Sequence, residues 1–268
     1  MIQAKSLRKI FKDRKKPPKV AGERWSLASL RKRFKRRKKR EVVAVDGLSF
    51  HARAGEVFGL LGPNGAGKTT TLRILSTALK PTAGTIEVGG VDVAAQPQVV
   101  RRRTGFLSGA TGLYPRLTPR EIATYFGRLY GMSEPAIEQR IEALFARLGM
   151  GDFADRRADT LSTGQKQKAS IVRTIIHDPD VVVFDEPTTG LDIMTAREIL
   201  RLILQCREEG KCVIFSTHNM LEAEKLCDRL AVVDQGRLLA EGTPAEVMQR
   251  TGTTNLEAAF LDLLGVAA

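Results

Sequence analysis

The chain has 268 residues, of which 43% are hydrophobic and 27% charged, and its formal net charge is +13. This length can bury one large core, and the composition is ordinary for a soluble protein. No run of about 18 apolar residues occurs and no apolar segment follows the basic N-terminus, so a membrane-spanning helix and a signal peptide are excluded.

The positive charge is concentrated at the N-terminus. Residues 1–40 hold 18 of the 43 Lys and Arg residues and two of the 30 acidic residues, so the other 228 residues carry a net charge of −3. Pro17-Pro18 interrupts any helix in this segment. The apolar residues that follow lie along one helical face among Lys and Arg residues: Trp25, Leu27, Leu30 and Phe34. This pattern is typical of a short basic amphipathic helix.

Three interpretations of this basic segment stay open. From the most to the least favoured, they are a solvated and mostly disordered loop, docking on an anionic membrane surface or a permease, and a contact with nucleic acid.

A phosphate-binding pattern follows the apolar run Val57–Leu61 and precedes a predicted helix. The segment from Gly62 to Thr69 fits G-x-x-x-x-G-K-[ST], the P-loop. The residues assigned to nucleotide binding here are Gly62, Pro63, Asn64, Gly65, Ala66, Gly67, Lys68, Thr69 and Thr70. The glycines allow backbone N–H groups to turn toward phosphates. Lys68 can reach the β- and γ-phosphates, and Thr69 can hold Mg²⁺.

The middle of the chain is predicted to be mainly helical. Thr118-Pro119-Arg120-Glu121 has the pattern of a capped helix start with proline at the first helical position. A second helix is predicted from Glu134 to Leu148. The apolar residues of the first helix repeat at helical spacing and are predicted to be core: Ile122, Tyr125, Phe126, Leu129 and Tyr130.

Two carboxylates end a second apolar run, Val181–Phe184. A continuous apolar run suits a buried parallel strand, whose C-terminal end is where such sheets bind ligands. Asp185 would bind Mg²⁺ directly or through water. Glu186 would accept a proton from the attacking water or orient it.

The remaining elements are predicted from periodicity and turn residues. An amphipathic helix is predicted over Ile193–Glu208, a strand over Cys212–Phe215 and a helix over Leu221–Asp228. The turn Asp234-Gln235-Gly236 between two apolar runs predicts a hairpin. The cysteines are Cys206, Cys212 and Cys227. They have no metal-binding spacing, so we interpret them as reduced thiols of a cytoplasmic protein, with Cys206 and Cys212 packed in the interior.

Between the two phosphate-site motifs, Leu161-Ser162-Thr163-Gly164-Gln165 resembles the L-S-G-G-Q signature of ATP-binding cassette (ABC) ATPases. Downstream, Thr189–Asp192 resembles the D-loop of that family, and Phe215–His218 resembles its switch-histidine loop. Five motifs in the family's order indicate a transporter-type nucleotide-binding subunit. The resemblance implies an α/β fold: a P-loop NTPase core with a mostly parallel sheet flanked by helices, an antiparallel β subdomain, and an inserted α-helical subdomain at about 115–165.

The resemblance also implies roles for individual residues. Ser162, Gly164 and Gln165 belong to the signature, and in this family it contacts the γ-phosphate from the opposite subunit. This implies a homodimer, or a heterodimer with a related cassette, around two ATP molecules. His218 would hold the γ-phosphate and the nearby water, beside Glu186 and Lys68 as the other catalytic groups. Asp192 would help to link the two sites.

Two departures from the family pattern have consequences. Thr163 replaces the first glycine of the signature, and we expect it at negative φ because a β-branched residue disfavours positive φ. The Q-loop glutamine is also absent, since no residue from 104 to 120 is Gln. Gly109 or a neighbour takes its position, and water or Ser108 would fill the place at Mg²⁺. We expect hydrolysis to persist because the other catalytic and metal-binding residues are present.

The family's first strand is matched by Met1–Leu7, and Phe11 follows where an aromatic ring stacks on adenine. Phe34 is the rival, because the sequence around it nearly repeats the sequence around Phe11. The predicted organisation has four parts: a first strand at 1–11, a basic insertion at 12–41, the ATPase domain at 42–250 and a tail at 251–268.

The resemblance implies an ATP-hydrolysing subunit that drives a separate membrane permease, in a cytoplasmic position at the inner face of the cell membrane. Gly112–Thr118 and the residues after the signature resemble export cassettes paired with ABC-2 permeases, especially of the sodium-extrusion type. One alternative is a non-transport cassette that binds nucleic acid or ribosomes through the basic segment. Another is a nucleotide-gated regulator with little turnover, suggested by the missing glutamine.

Overall fold

The computed structural model describes residues 1–13, 40–109 and 112–266. The strands are β1 (Ile2–Asp13), β2 (Arg40–Ala52), β3 (Val57–Leu61), β4 (Ala83–Val88), β5 (Val91–Asp92), β6 (Thr104–Ser108), β7 (Val181–Asp185), β8 (Cys212–Thr217), β9 (Arg229–Asp234) and β10 (Arg237–Gly242). The α-helices are α1 (Lys68–Leu75), α2 (Pro97–Arg103), α3 (Pro119–Leu129), α4 (Glu134–Leu148), α5 (Thr163–Ile175), α6 (Ile193–Glu208), α7 (Met220–Leu226), α8 (Pro244–Thr251) and α9 (Leu256–Leu263).

The larger sheet has six strands in the order β10-β9-β3-β8-β7-β6. Its strands are parallel except for β10, which forms the predicted antiparallel hairpin with β9. Every residue of β3, β7 and β8 is buried, because helices cover both faces of the sheet. The loops after β3, β7 and β8 therefore leave the same edge of the sheet and carry the predicted phosphate and catalytic motifs.

The smaller sheet is antiparallel, with the order β2-β1-β4-β5. β1 continues two residues beyond the predicted first strand at 1–11, since Lys12 pairs with Glu41 and Asp13 pairs with Arg40. The ladder to β2 satisfies the backbone groups of these residues, so pairing overrides the weak strand propensity of Lys and Asp. The helix predicted from Trp25 to Phe34 lies outside the described residues, and the insertion at 12–41 stays a prediction.

The helical subdomain contains α3, α4 and the start of α5. The predicted capping box is confirmed: the Thr118 hydroxyl accepts the Glu121 N–H at 3.2 Å, and the Glu121 carboxylate accepts the Thr118 N–H at 2.8 Å. Ile122 is buried as predicted. The prediction was wrong for Tyr125 and Leu129, which are 49% and 65% exposed, because no other described element covers that side of α3.

The described helices include none that is long and apolar enough to cross a membrane. All three cysteines are free and buried. Burial raises the pKa of Cys206 to about 11 and that of Cys212 to about 12, so both remain protonated thiols at neutral pH. The predicted packing of these two residues is confirmed.

Candidate functional site

The P-loop lies between β3 and α1, at the C-terminal edge of the larger sheet. Gly67 caps α1 with φ 102°, and a Cβ there would lie 2.3 Å from the Ala44 carbonyl oxygen. A Cβ at Gly62 would lie 2.2 Å from the Val233 carbonyl oxygen. These two positions therefore require glycine for close approach of backbone to backbone.

The side chain of Lys68 folds back over the loop that precedes it. Its Nζ donates to the carbonyl oxygens of Gly62 at 2.6 Å and Pro63 at 3.2 Å. The side chain is only 5% exposed, and burial lowers the pKa of Lys68, an effect that Glu186 opposes. The ammonium is thus held at the mouth of the loop, where a charged phosphate group would be stabilised by it.

A cavity of about 140 Å³ opens at this loop. It is lined by Ala44, Glu186 and the predicted P-loop residues Pro63, Asn64, Gly65, Ala66, Gly67, Lys68, Thr69 and Thr70. Sequence reasoning missed Ala44, which is brought here by the packing of β2 against the loop. No residue pattern identifies that contact in advance.

Oxygen ligands suitable for a hard cation meet beside the cavity. The Thr69 hydroxyl donates to Asp185 Oδ1 at 3.2 Å, and the Ser216 hydroxyl donates to the same oxygen at 2.7 Å. Asp185 and Ser216 are partners in the parallel ladder of β7 and β8. Hydroxyl and carboxylate oxygens are the protein ligands that Mg²⁺ uses when phosphates supply the remainder, so these residues fit that ion.

Glu186 is the meeting point of the predicted catalytic groups. Its Oε1 lies 3.6 Å from Lys68 Nζ, and its Oε2 lies 3.4 Å from His218 Nδ1. The Glu186 N–H lies 3.1 Å from both the carbonyl and the hydroxyl oxygen of Ser216. Its φ of 49° is unusual for a side-chain-bearing residue, and such strain persists where neighbouring contacts fix it.

The signature residues do not line this cavity. Ser162 caps α5 in a capping box, in which its hydroxyl accepts the Gln165 N–H at 3.3 Å. The Gln165 side chain accepts the Ser162 N–H at 3.0 Å. Thr163 is the first residue of the helix and is not among the described residues with positive φ, as expected.

Asp192 also caps a helix. Its Oδ1 accepts the N–H groups of Met194 and Thr195 at 3.0 Å, and its Oδ2 accepts the Thr195 hydroxyl at 2.7 Å. These hydrogen bonds lower the pKa of Asp192. A Cβ on Gly164 would lie 3.1 Å from Thr195, so the signature packs against the first turn of α6, the helix that Asp192 caps.

The chain can now be compared with known proteins. The sequence profile of the family described as ABC transporter matches residues 45–189. The ABC transporter ATP-binding protein NatA of Bacillus subtilis is 43% identical over 224 residues, which cover 83% of this chain and 91% of that protein.

The chain belongs to the ABC transporter family.

Two other ABC relatives have similar identity. The Nod factor export ATP-binding protein I of Paraburkholderia xenovorans is 43% identical over 208 residues, covering 78% of this chain and 68% of that protein. The daunorubicin/doxorubicin resistance ATP-binding protein DrrA of Streptomyces peucetius is 40% identical over 213 residues, covering 80% of this chain and 64% of that protein.

Solved structures have the same fold. The ATP-binding subunit of an ABC transporter aligns with a TM-score of 0.80 over 98% of this chain and 99% of its own, at 24% identity. A dimeric ATP-binding cassette in a post-hydrolysis state, bound to ADP and Pi, aligns with a TM-score of 0.73 over 91% of this chain and 98% of its own, at 24% identity. The predicted P-loop NTPase fold is confirmed.

Family membership confirms the main functional prediction. The chain is an ATP-binding subunit of an ABC transporter and an ATPase, and subunits of this family dimerise and act with a membrane permease. These relatives favour the transporter interpretation over the nucleic-acid and regulator alternatives. The chain still differs from the family pattern in lacking the Q-loop glutamine. In the structure, β6 ends at Ser108, a buried residue that pairs with Asp185 of the neighbouring strand β7.

Proposed function

We propose that this chain binds ATP with Mg²⁺ between the P-loop of one copy and the signature of a second copy, and that hydrolysis there drives export by a separate permease. One observation carries the proposal: Lys68 and Glu186 line one cavity and His218 contacts Glu186, while the signature residues do not line that cavity. A second copy would complete the site.

The P-loop cavity supplies the groups for nucleotide phosphates. Backbone N–H groups of the loop and Lys68 would bind the phosphate oxygens. Thr69 and Asp185 would hold Mg²⁺, whose charge would help to neutralise the β- and γ-phosphates. Ser108 pairs with Asp185 in the parallel ladder of β6 and β7. The hydroxyl of Ser108, or a water, could take the place of the absent glutamine.

Glu186 and His218 supply the groups for hydrolysis. The carboxylate of Glu186 would accept a proton from the attacking water or orient that water. His218 Nδ1 lies 3.4 Å from this carboxylate, so the imidazole is placed to hold both the water and the γ-phosphate. The contact with Lys68 would hold the Glu186 carboxylate close to the bound phosphates.

An exposed aromatic face supports contact with a permease. Tyr114 and Tyr125 pack edge to face with ring centroids 6.1 Å apart, and Leu129 is exposed beside them on α3. Exposed apolar clusters of this kind mark interaction surfaces. We place the chain at the cytoplasmic face of the membrane through this contact.

The cargo is not chosen by this chain. The relatives named for Nod factor export and for daunorubicin/doxorubicin resistance have nearly the same sequence identity to the chain, 43% and 40%. Cassettes of similar sequence therefore serve different cargoes, and we assign the choice to the permease. The sodium-extrusion type stays a prediction.

The position of Phe11 in the smaller sheet supports the adenine-stacking proposal. Phe11 pairs with Val42, two residues from Ala44, which lines the cavity. Phe11 is 38% exposed, which leaves part of the residue accessible to a base. Stacking would contribute about 1–3 kcal/mol. Phe34 lies outside the described residues.

The proposed site between two copies of the chain can be tested by changing the charge at residue 162. Glu186→Gln, which should trap ATP, is combined with Ser162→Asp or with Ser162→Asn. Both substitutions keep a helix cap. Only Asp brings a negative charge to the γ-phosphate, so we expect it to weaken ATP-dependent dimerisation by about 100-fold or more, since like charges about 4 Å apart repel by about 4 kcal/mol near a protein surface.

The measurement is sedimentation equilibrium in Mg-ATP, with Mg-ADP as the reference. We expect the Asn variant to dimerise and the Asp variant to stay monomeric while it still binds one ATP. Dimers of equal stability in the two variants would show that the signature does not meet the nucleotide of a second copy.

The basic segment is proposed to bind an anionic membrane surface. Residues 14–39 hold 13 Lys and Arg residues and one acidic residue. Because Asp13 and Arg40 are cross-strand partners, a two-residue Asn-Gly turn can replace the whole segment. We expect this variant to bind anionic vesicles at least about tenfold more weakly, since each basic residue near such a surface gains about 1 kcal/mol.

Co-sedimentation with vesicles that contain phosphatidylglycerol measures the effect, and phosphatidylcholine vesicles are the control. The loss of binding should follow vesicle charge and disappear in high salt. Equal binding of the two proteins to the anionic vesicles would end the membrane proposal.

A further inference from the structure

We propose that Glu222 is a positioning residue, which holds the loops of Glu186 and His218 at the separation that hydrolysis requires. The inference rests on the proposed roles of Glu186 and His218. Glu222 belongs to the first turn of α7 and matches none of the motifs that predicted the site.

The carboxylate of Glu222 connects two loops. Its Oε2 accepts the Thr188 hydroxyl at 2.9 Å and the Thr217 hydroxyl at 3.4 Å. Thr188 follows Glu186 by two residues, and Thr217 immediately precedes His218. One oxygen atom therefore joins the chain segments whose functional side chains approach to 3.4 Å.

The carboxylate of Glu222 does not make the hydrogen bond that a glutamate at the third position of a helix usually makes. In a capping box, the third helical residue accepts the N–H of the cap residue. Glu121, Gln165 and Glu246 do this at the starts of α3, α5 and α8. In α7, the N–H of the cap residue Asn219 instead donates to the Thr217 hydroxyl at 2.9 Å, which leaves the Glu222 carboxylate for the two threonines.

The helix that carries Glu222 is fixed on its other side. Met220, Ala223 and Leu226 are buried in the core. Glu224 accepts the N–H of Leu256 at 3.4 Å, at the start of the C-terminal helix α9. The carboxylate therefore projects from an anchored helix, and it can hold the strained backbone of Glu186 in place through Thr188.

The test uses Glu222→Ala, Glu222→Gln and Thr188→Val, each measured for kcat, KM and nucleotide Kd. We expect the Ala variant to lose at least about tenfold in kcat with an unchanged Kd, because small displacements of catalytic groups reduce rate more than binding. The Gln variant keeps an acceptor oxygen and should recover most of the rate. The Ala substitution combined with Thr188→Val should be no slower than the Ala variant alone, since both remove the same link.

Glu246→Ala is the matched control, because it removes an equivalent glutamate at the third position of α8, where the carboxylate completes a capping box at its own helix start. It should lose helix stability and keep kcat. A normal kcat in the Glu222→Ala variant would overturn the inference, as would an equal loss of kcat in the control. If Glu222→Ala fails to fold, a wild-type kcat in Thr188→Val overturns it. Glu186→Gln separates the two proposals: if that variant turns over at a rate close to that of wild type, the proposed role of Glu186 itself fails.

Discussion

Replacing Glu186 with glutamine is expected to lower ATP turnover by about 10²–10⁴-fold, the range that general-base catalysis contributes. ATP binding should persist within a few-fold. Glutamine has nearly the same shape as glutamate, and it keeps one oxygen, which can face either Lys68 or His218. It cannot accept a proton from water, so the loss falls on the chemical step.

The geometry around Glu186 explains why binding should survive. Lys68 also donates to the carbonyl oxygens of Gly62 and Pro63, so the ammonium keeps two partners when the carboxylate charge is lost. The backbone of residue 186 is held by hydrogen bonds from its N–H to Ser216, which the substitution does not touch. The variant should therefore retain the shape of the cavity.

Phosphate release and fluorescent-nucleotide titration measure the two quantities separately. Glu246→Gln is the control, since glutamine also completes a capping box and that residue lies at α8, outside the cavity. Turnover of Glu186→Gln close to that of wild type would show that another group activates the water. A parallel loss of ATP binding would show instead that the carboxylate shapes the phosphate site.

The sequence predicted that the proposed phosphate- and metal-binding residues would lie close together, because they lie at the ends of buried strands or on the loops that follow them. Gly62–Thr69 follows β3, and Asp185 ends β7. Since the parallel strands all end at the same edge, the motifs must meet once the sheet forms. The fold class followed from the resemblance of these motifs and the signature to the ABC family, and it was predictable without a structure.

Whether a side chain is exposed was less predictable than whether it lies in a helix. The spacing of Tyr125 and Leu129 places them on a helix face, but it does not show whether another element covers that face. In the structure they are exposed, beside Tyr114. The length of β1 was missed for a related reason, because the charged residues near Asp13 are held in the strand by pairing with β2.

Contacts of residues outside the recognised motifs were not predictable. Ala44 lines the cavity because β2 crosses the P-loop, and its side chain has no distinguishing chemistry. Glu222 has the sequence pattern of an ordinary helix start, and only the positions of Thr188 and Thr217 show where its carboxylate goes. Such roles depend on tertiary geometry, which one sequence does not contain.

Gly67→Ala is expected to weaken ATP binding by about 100-fold or more, a larger loss than Gly65→Ala should cause. Both glycines have positive φ, at 102° and 87°, so alanine is strained at either position. That strain alone costs about 1–2 kcal/mol, or roughly tenfold in affinity if the loop must absorb it. The new methyl group meets nothing within 4 Å at Gly65, whereas at Gly67 it would lie 2.3 Å from the Ala44 carbonyl oxygen.

The difference between these two variants isolates the packing of β2 against the loop from the backbone strain that they share. To relieve the contact at residue 67, either β2 must move, which displaces Ala44 from the cavity lining, or the first turn of α1 must rotate, which displaces Lys68 from the cavity mouth. Titration with a fluorescent ATP analogue, together with thermal unfolding of each variant, gives the affinity and the stability separately. Equal affinities in the two variants would mean that the Ala44 contact does not shape the phosphate site, and that positive φ alone explains the need for glycine there.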